Sequence, residues 1–153
     1  MDRIKILFLC TGNSCRSQMA EGWTRHLKGD QVEAYSAGVE PHGMNPLVVQ
    51  VMKEVGVDIA GQRSKHVNEL SGVVFDFVVT VCDNAGENCP LFPAKKNVVH
   101  VGFDDPPFLA RSAKSEIEAL GHYRRVRDEI RAFVETLPQG LTTRTSHAQG
   151  PTR

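Results

Sequence analysis

The sequence predicts an α/β fold: a single domain built on a four-stranded parallel sheet with helices on both faces. Two patterns carry this. Short strand-like apolar runs at 4–9, 32–36, 73–81 and 98–101 alternate with segments whose apolar residues recur every three or four positions. The run at 73–81 is broken only by Asp76 and Thr80, which fits a strand buried on both faces, as in parallel sheets. At 153 residues the chain has the size of one domain and can bury a core without disulfides.

Each element has its own justification. The first run ends in Cys10-Thr11-Gly12-Asn13-Ser14-Cys15-Arg16-Ser17, and the helix at 17–28 carries Met19, Ala20, Trp23 and Leu27 at helical spacing before Gly29-Asp30 stops it. After the strand at 32–36, Asn45-Pro46 reads as an N-cap with proline in the first helical position, and the helix at 46–55 is ended by Gly56. A short helix is expected near 66–70. The segment from Asp83 to Pro90 lacks apolar periodicity and reads as a loop or marginal helical turn. A last amphipathic helix at 112–136 places Ile117, Leu120, Tyr123, Val126, Ile130, Phe133, Val134 and Leu137 on one side. The folded domain is expected to span 1–138, with 139–153 a disordered tail whose only strongly apolar residue is Leu141.

Composition removes several classes of function. Lys plus Arg equals Asp plus Glu at 18 each, so there is no global electrostatic footprint for nucleic acid or an anionic membrane. The apolar runs are too short to span a bilayer, and the N-terminal one, interrupted by Lys5, lacks a signal-peptide pattern, so a cytoplasmic monomer is expected. Four cysteines do not make a disulfide scaffold. Cys10, Cys15, Cys82 and Cys89 form no Cys-x2-Cys pair and have no histidine at zinc-site distance, so no metal is expected.

The chemistry concentrates between the first strand and the first helix. A Gly-Asn-Ser loop leading into a helix N-terminus turns backbone N–H groups into one concavity that favours an anion. A cysteine placed there beside an arginine gains thiolate character, and Arg16 supplies a planar fork of donors suited to phosphate or arsenate. The topology adds partners, because parallel strands share one carboxyl edge and ligands bind outside it. Cys10, Ser36, Cys82 and Asp104-Asp105 each follow or end a strand on that edge. Cys10 is therefore read as a nucleophile. Cys15 is assigned to packing, Cys82 and Cys89 have the spacing of a thiol–disulfide exchange pair, and Asp105 before Pro106 suits either a general acid or a turn initiator. The six histidines are scattered, which gives a Cys-His dyad little support.

The loop from Cys10 to Ser17, together with Asp105-Pro106, resembles the signature of the low-molecular-weight protein tyrosine phosphatase superfamily. With Cys82 and Cys89 added, the chain is similar over 4–137 to the thioredoxin-coupled arsenate reductases of that superfamily. The resemblance implies that Cys10 attacks arsenate held by the amides of Thr11 to Ser17 and by Arg16, while Asp105 protonates the departing oxygen. Cys82 would then attack Cys10 and release arsenite, Cys89 would attack Cys82, and thioredoxin would reduce the final disulfide with no other cofactor. Ser17 would orient the thiolate. Some relatives bind potassium through residues matching Asn13, Glu21, Ser36 and a carboxylate where this chain has Lys65, whose ammonium would repel the ion and could replace it. No potassium requirement is expected.

Two other readings use the same residues. A phosphotyrosine phosphatase would keep Cys10, Arg16 and Asp105 but use water as second nucleophile, although Pro107-Phe108 stands where such enzymes usually place tyrosine. A non-catalytic redox sensor or oxyanion-binding module would use the thiols only as reporters.

Overall fold

The computed structural model describes residues 3–82 and 93–142. Its sheet contains β1 (Ile4–Cys10), β2 (Val32–Gly38), β3 (Phe77–Thr80) and β4 (Asn97–His100), all parallel, in the order β2-β1-β3-β4. The helices are α1 (Arg16–Lys28), α2 (Pro46–Glu54), α3 (Pro106–Ala110), α4 (Glu116–Val134) and α5 (Gln139–Thr142), with a 3-10 turn at Val67–Leu70.

The period of two along β1 divides the core. Ile6, Phe8 and Cys10 pack with residues of α1, α2 and α4 on one face, whereas Leu7 and Leu9 join Ala37, Val67, Phe75 and Val78 on the other. Among the described residues the cover of this second face is the 3-10 turn and the chain leading to β3. α2 starts as its sequence dictates: Pro46 sits at the first helical position, and Leu47 N donates to Asn45 Oδ1 at 2.9 Å. Gly56 takes a φ of 84° just past its end, where a side chain would be strained.

Three boundaries differ from expectation. β3 begins at Phe77 instead of Val73, because Asp76 accepts a bond from Lys5 N at 2.8 Å and ends the ladder there. Val74, in the lead-in, is 71% exposed. α4 begins at Glu116, and Ile117 is 78% exposed: it lies on the apolar stripe but one turn before Leu120, the first residue to reach the core. Chain order also continues past 138. Gln139–Thr142, expected to belong to a disordered tail, forms α5 with Leu141 fully buried; residues 143–153, the rest of that expected tail, lie outside the described residues. Among the described residues, no helix is long and apolar enough to cross a membrane.

Candidate active site

The strand order reverses direction at β1, which has β2 on one side and β3 on the other, and the loop after β1 opens into this crevice. Register brings the second thiol there. Leu9 stands opposite Thr80, so two residues on, Thr11 stands beside Cys82, with Thr11 Oγ1 4.0 Å from Cys82 Sγ. Cys10, Cys15 and Cys82 are all buried thiols.

α1 is left open at its N-terminus. Cys15 is the N-cap residue, but its side chain makes no capping bond and the first turn holds no acidic residue. The first-turn N–H groups and the helix dipole thus favour an anion in the loop. The loop is braced from within: Cys10 Sγ lies 3.0 Å from Ser17 Oγ, which accepts from Asn13 Nδ2 at 2.8 Å. Asn13, fully buried with a φ of 49°, is held by Lys65 N donating to its Oδ1 at 2.8 Å and by Gln18 Nε2 donating to its carbonyl at 3.0 Å. Asparagine tolerates this left-handed conformation better than most residues.

The Arg16 guanidinium is also buried. Its Nη1 donates to the Phe103 carbonyl at 3.0 Å, and its Nη2 lies 3.7 Å from Asp105 Oδ1. Asp105 occupies the N-cap position of α3 but its carboxylate does not cap that helix, which leaves the helix-starting role to its backbone. Asp104 turns outward to pair with Arg125 of α4 at 2.9 Å. Burial pushes the Cys15 thiol well above its ordinary value, Asp105 and Cys10 adding to the rise and Arg16 opposing it. Such a thiol stays protonated and fills space.

Beneath the loop lies a small charged network. Ser36 Oγ donates to the buried Glu21 carboxylate at 2.5 Å, Arg25 pairs with its other oxygen at 2.7 Å, and Lys65 Nζ donates to the Ser36 carbonyl at 2.9 Å. Burial lowers the Lys65 pKa while Glu21 acts to raise it. Among the described residues no group of three or more His, Cys, Asp or Glu could hold a metal ion.

The structure therefore brings together Cys10, Thr11, Asn13, Arg16, Ser17, Cys82 and Asp105. Cys89 lies outside the described residues, as does the segment read as a loop before it. The sequence pattern gave no weight to His42, whose backbone N donates to the Gly12 carbonyl at 2.9 Å and whose ring sits against Gly12. Its one available signal was its position in the loop after β2, on the carboxyl edge.

Known proteins resemble this chain in sequence and fold. The family model for low molecular weight phosphotyrosine protein phosphatase matches residues 5–146. An arsenate reductase of Halalkalibacterium halodurans is 47% identical over 91% of this chain and 98% of its own length, and one of Bacillus subtilis is 48% identical over 89% and 99%. Among solved structures, an arsenate reductase in the phosphate binding state superposes with a TM-score of 0.73 at 31% identity, covering 88% of this chain and 95% of the other. A thioredoxin-dependent arsenate reductase of Corynebacterium glutamicum gives 0.66 at 25% identity, covering 92% and 63%.

Proposed function

Because the chain belongs to the low molecular weight phosphotyrosine protein phosphatase family and is about half identical to curated arsenate reductases over nearly its whole length, we propose that it reduces arsenate to arsenite with electrons from thioredoxin. The proposal places the reaction in the cytoplasm and needs no resident cofactor.

In the first step the Cys10 thiolate attacks arsenic, the loop amides and Arg16 hold the remaining oxygens, and Asp105 protonates the departing one, which leaves as water. The product is a Cys10–S–As(V) adduct. Cys82 thiolate then attacks the Cys10 sulfur. The S–As bond breaks with its electron pair passing to arsenic, so arsenic falls from V to III as the Cys10–Cys82 disulfide forms. Cys89 next attacks Cys82, which frees Cys10 and leaves a Cys82–Cys89 disulfide for the thioredoxin dithiol. In sum, arsenate and reduced thioredoxin give arsenite, oxidised thioredoxin and water.

One observation favours this reading over hydrolysis of a phosphoryl-cysteine: a fully buried thiol, Cys82, lies against Thr11, the residue next to the nucleophile. A phosphatase needs water there. The deciding experiment supplies arsenate, thioredoxin, thioredoxin reductase and NADPH and follows NADPH loss in wild type, Cys82→Ser and Cys89→Ser. Turnover by wild type alone is expected. A silent wild type, or a substituted protein that still turns over, overturns the proposal.

A further inference from the structure

Gln18 is fully buried in the first turn of α1, directly behind the nucleophile loop. A buried amide needs its hydrogen bonds met, and here each bond has a fixed direction. Gln18 Nε2 donates to the Asn13 carbonyl at 3.0 Å and to the Arg63 carbonyl at 3.2 Å. Its Oε1 accepts from Gln62 Nε2 at 2.8 Å, and the same nitrogen donates to the Gln18 backbone carbonyl at 3.1 Å. Carbonyl oxygens only accept, so neither amide can be turned round.

The consequence lies on the far side of one peptide plane. The Asn13–Ser14 bond is trans, and in a trans peptide the C=O and the following N–H point in opposite directions, so whatever fixes the Asn13 carbonyl also fixes the Ser14 N–H. Gln18 draws that carbonyl towards the segment at 62–65, which is bonded to the end of β2: Gly38 N donates to the Lys65 carbonyl at 3.0 Å. The Arg16 guanidinium lies on the other side of β1, against Phe103 and Asp105, which follow β4. The Ser14 N–H is therefore turned away from β2 and towards the side that Arg16 occupies. Asn13 needs this support, because its φ of 49° is one in which a residue other than glycine rarely settles unaided. Its side-chain bonds, to Ser17 and from Lys65 N, hold the residue itself but not the peptide plane that follows it.

We propose that Gln18, itself held by Gln62, is a positioning residue for oxyanion capture: it locks the Asn13–Ser14 peptide so that the Ser14 N–H faces the tetrahedral anion together with the Arg16 fork. This rests on the loop being the oxyanion site of the proposed reductase. Gln18 acts only through the peptide it holds. The disulfide steps pass through Cys10, Cys82 and Cys89 once the anion has been captured, so loss of Gln18 falls on binding and spares turnover at saturating substrate.

The test compares wild type, Gln18→Met, Gln62→Ala and the double variant in two assays: arsenate reduction with thioredoxin, and calorimetric titration with inorganic phosphate, which is not reduced. Methionine keeps the length of glutamine but donates nothing. Gln18→Met is expected to raise the phosphate Kd and the arsenate KM about tenfold, the worth of one well-placed hydrogen bond, with kcat within about twofold of wild type. Gln62→Ala, at a half-buried position, is expected to raise both by about threefold. The double variant should bind phosphate no more weakly than Gln18→Met alone, because Gln62 acts through Gln18. Should Gln18→Met fail to fold, Gln62→Ala decides, and an unchanged phosphate Kd in that variant overturns the inference. A merely structural role would lower the melting temperature and leave the phosphate Kd of the folded protein where it was; that result, a loss confined to kcat, or additive effects of the two substitutions also overturn it. If phosphate binding weakens as expected but wild type reduces no arsenate, the positioning role stands and the reductase assignment fails.

Discussion

Ser17 Oγ lies 3.0 Å from the Cys10 sulfur, placed to donate to it in the thiolate form that attacks. A thiolate can only accept, and the other contact on the Ser17 oxygen is already a donor, Asn13 Nδ2 at 2.8 Å. The Asn13 amide cannot be turned round, since its Oδ1 receives the backbone N–H of Lys65. With Cys10 as the attacking thiolate, a chain of single-direction bonds ends on the nucleophile.

Replacing Ser17 by alanine removes one bond to a charged acceptor, worth about 1.5–3 kcal/mol. Carboxymethylation of Cys10 and the first half-reaction with arsenate should both slow by about 10- to 100-fold. Stopped-flow and mass-mapped alkylation measure this, and unchanged rates would show that the serine is a spectator.

Arg16→Lys keeps the charge but loses the fork. A single ammonium cannot bond the Phe103 carbonyl, approach Asp105 and grip two oxygens of a bound oxyanion together. A loss of about 100-fold or more in kcat/KM for arsenate is expected, the size seen when a preorganised donor to a developing charge is removed. A lysine enzyme within tenfold of wild type would mean the planar fork is dispensable.

Cys15 sets a pH limit on stability. Burial raises its folded-state pKa, so its contribution is fully present below the unfolded cysteine value of about 8.5 and is lost as pH climbs above it, where the unfolded chain ionises first. Tyr123, also raised by burial, adds to the loss at higher pH. Cys15→Ala should cost about 1 kcal/mol at pH 7, a small-cavity penalty, and flatten the fall in Tm between pH 8 and pH 10. The same fall in both proteins would remove Cys15 from the account.

Lys65 carries the potassium prediction. Its ammonium donates to the Ser36 carbonyl and sits in the field of the buried Glu21. Wild-type turnover is therefore expected to ignore potassium at constant ionic strength, whereas Lys65→Met should lose activity and regain part of it when potassium is added. A sharp potassium response in wild type would show that the lysine does not fill the role.

Much of this was readable in one dimension. A continuous apolar run marked β1, strand-like runs alternating with helical segments marked the parallel sheet, Asn45-Pro46 marked the start of α2, and the shared carboxyl edge put Cys10, Cys82 and Asp105 within one crevice. The apolar run at 73–81 misled, because Asp76 ends the ladder through a bond to Lys5, seventy-one positions away. The Phe103 carbonyl on Arg16, the Lys65 amide on Asn13 and the His42 ring on Gly12 were equally hidden, since each depends on how the connecting segments close over the loop. Local periodicity does not encode such closures.

Cys82 is sealed from water, and Cys10 nearly so. A bond formed between two such buried thiols would be shielded from bulky dissolved thiols. Under the proposed cascade, burial works as a one-way valve for electrons: stray reductants cannot short-circuit the intermediate, and current leaves only where the chain itself carries it.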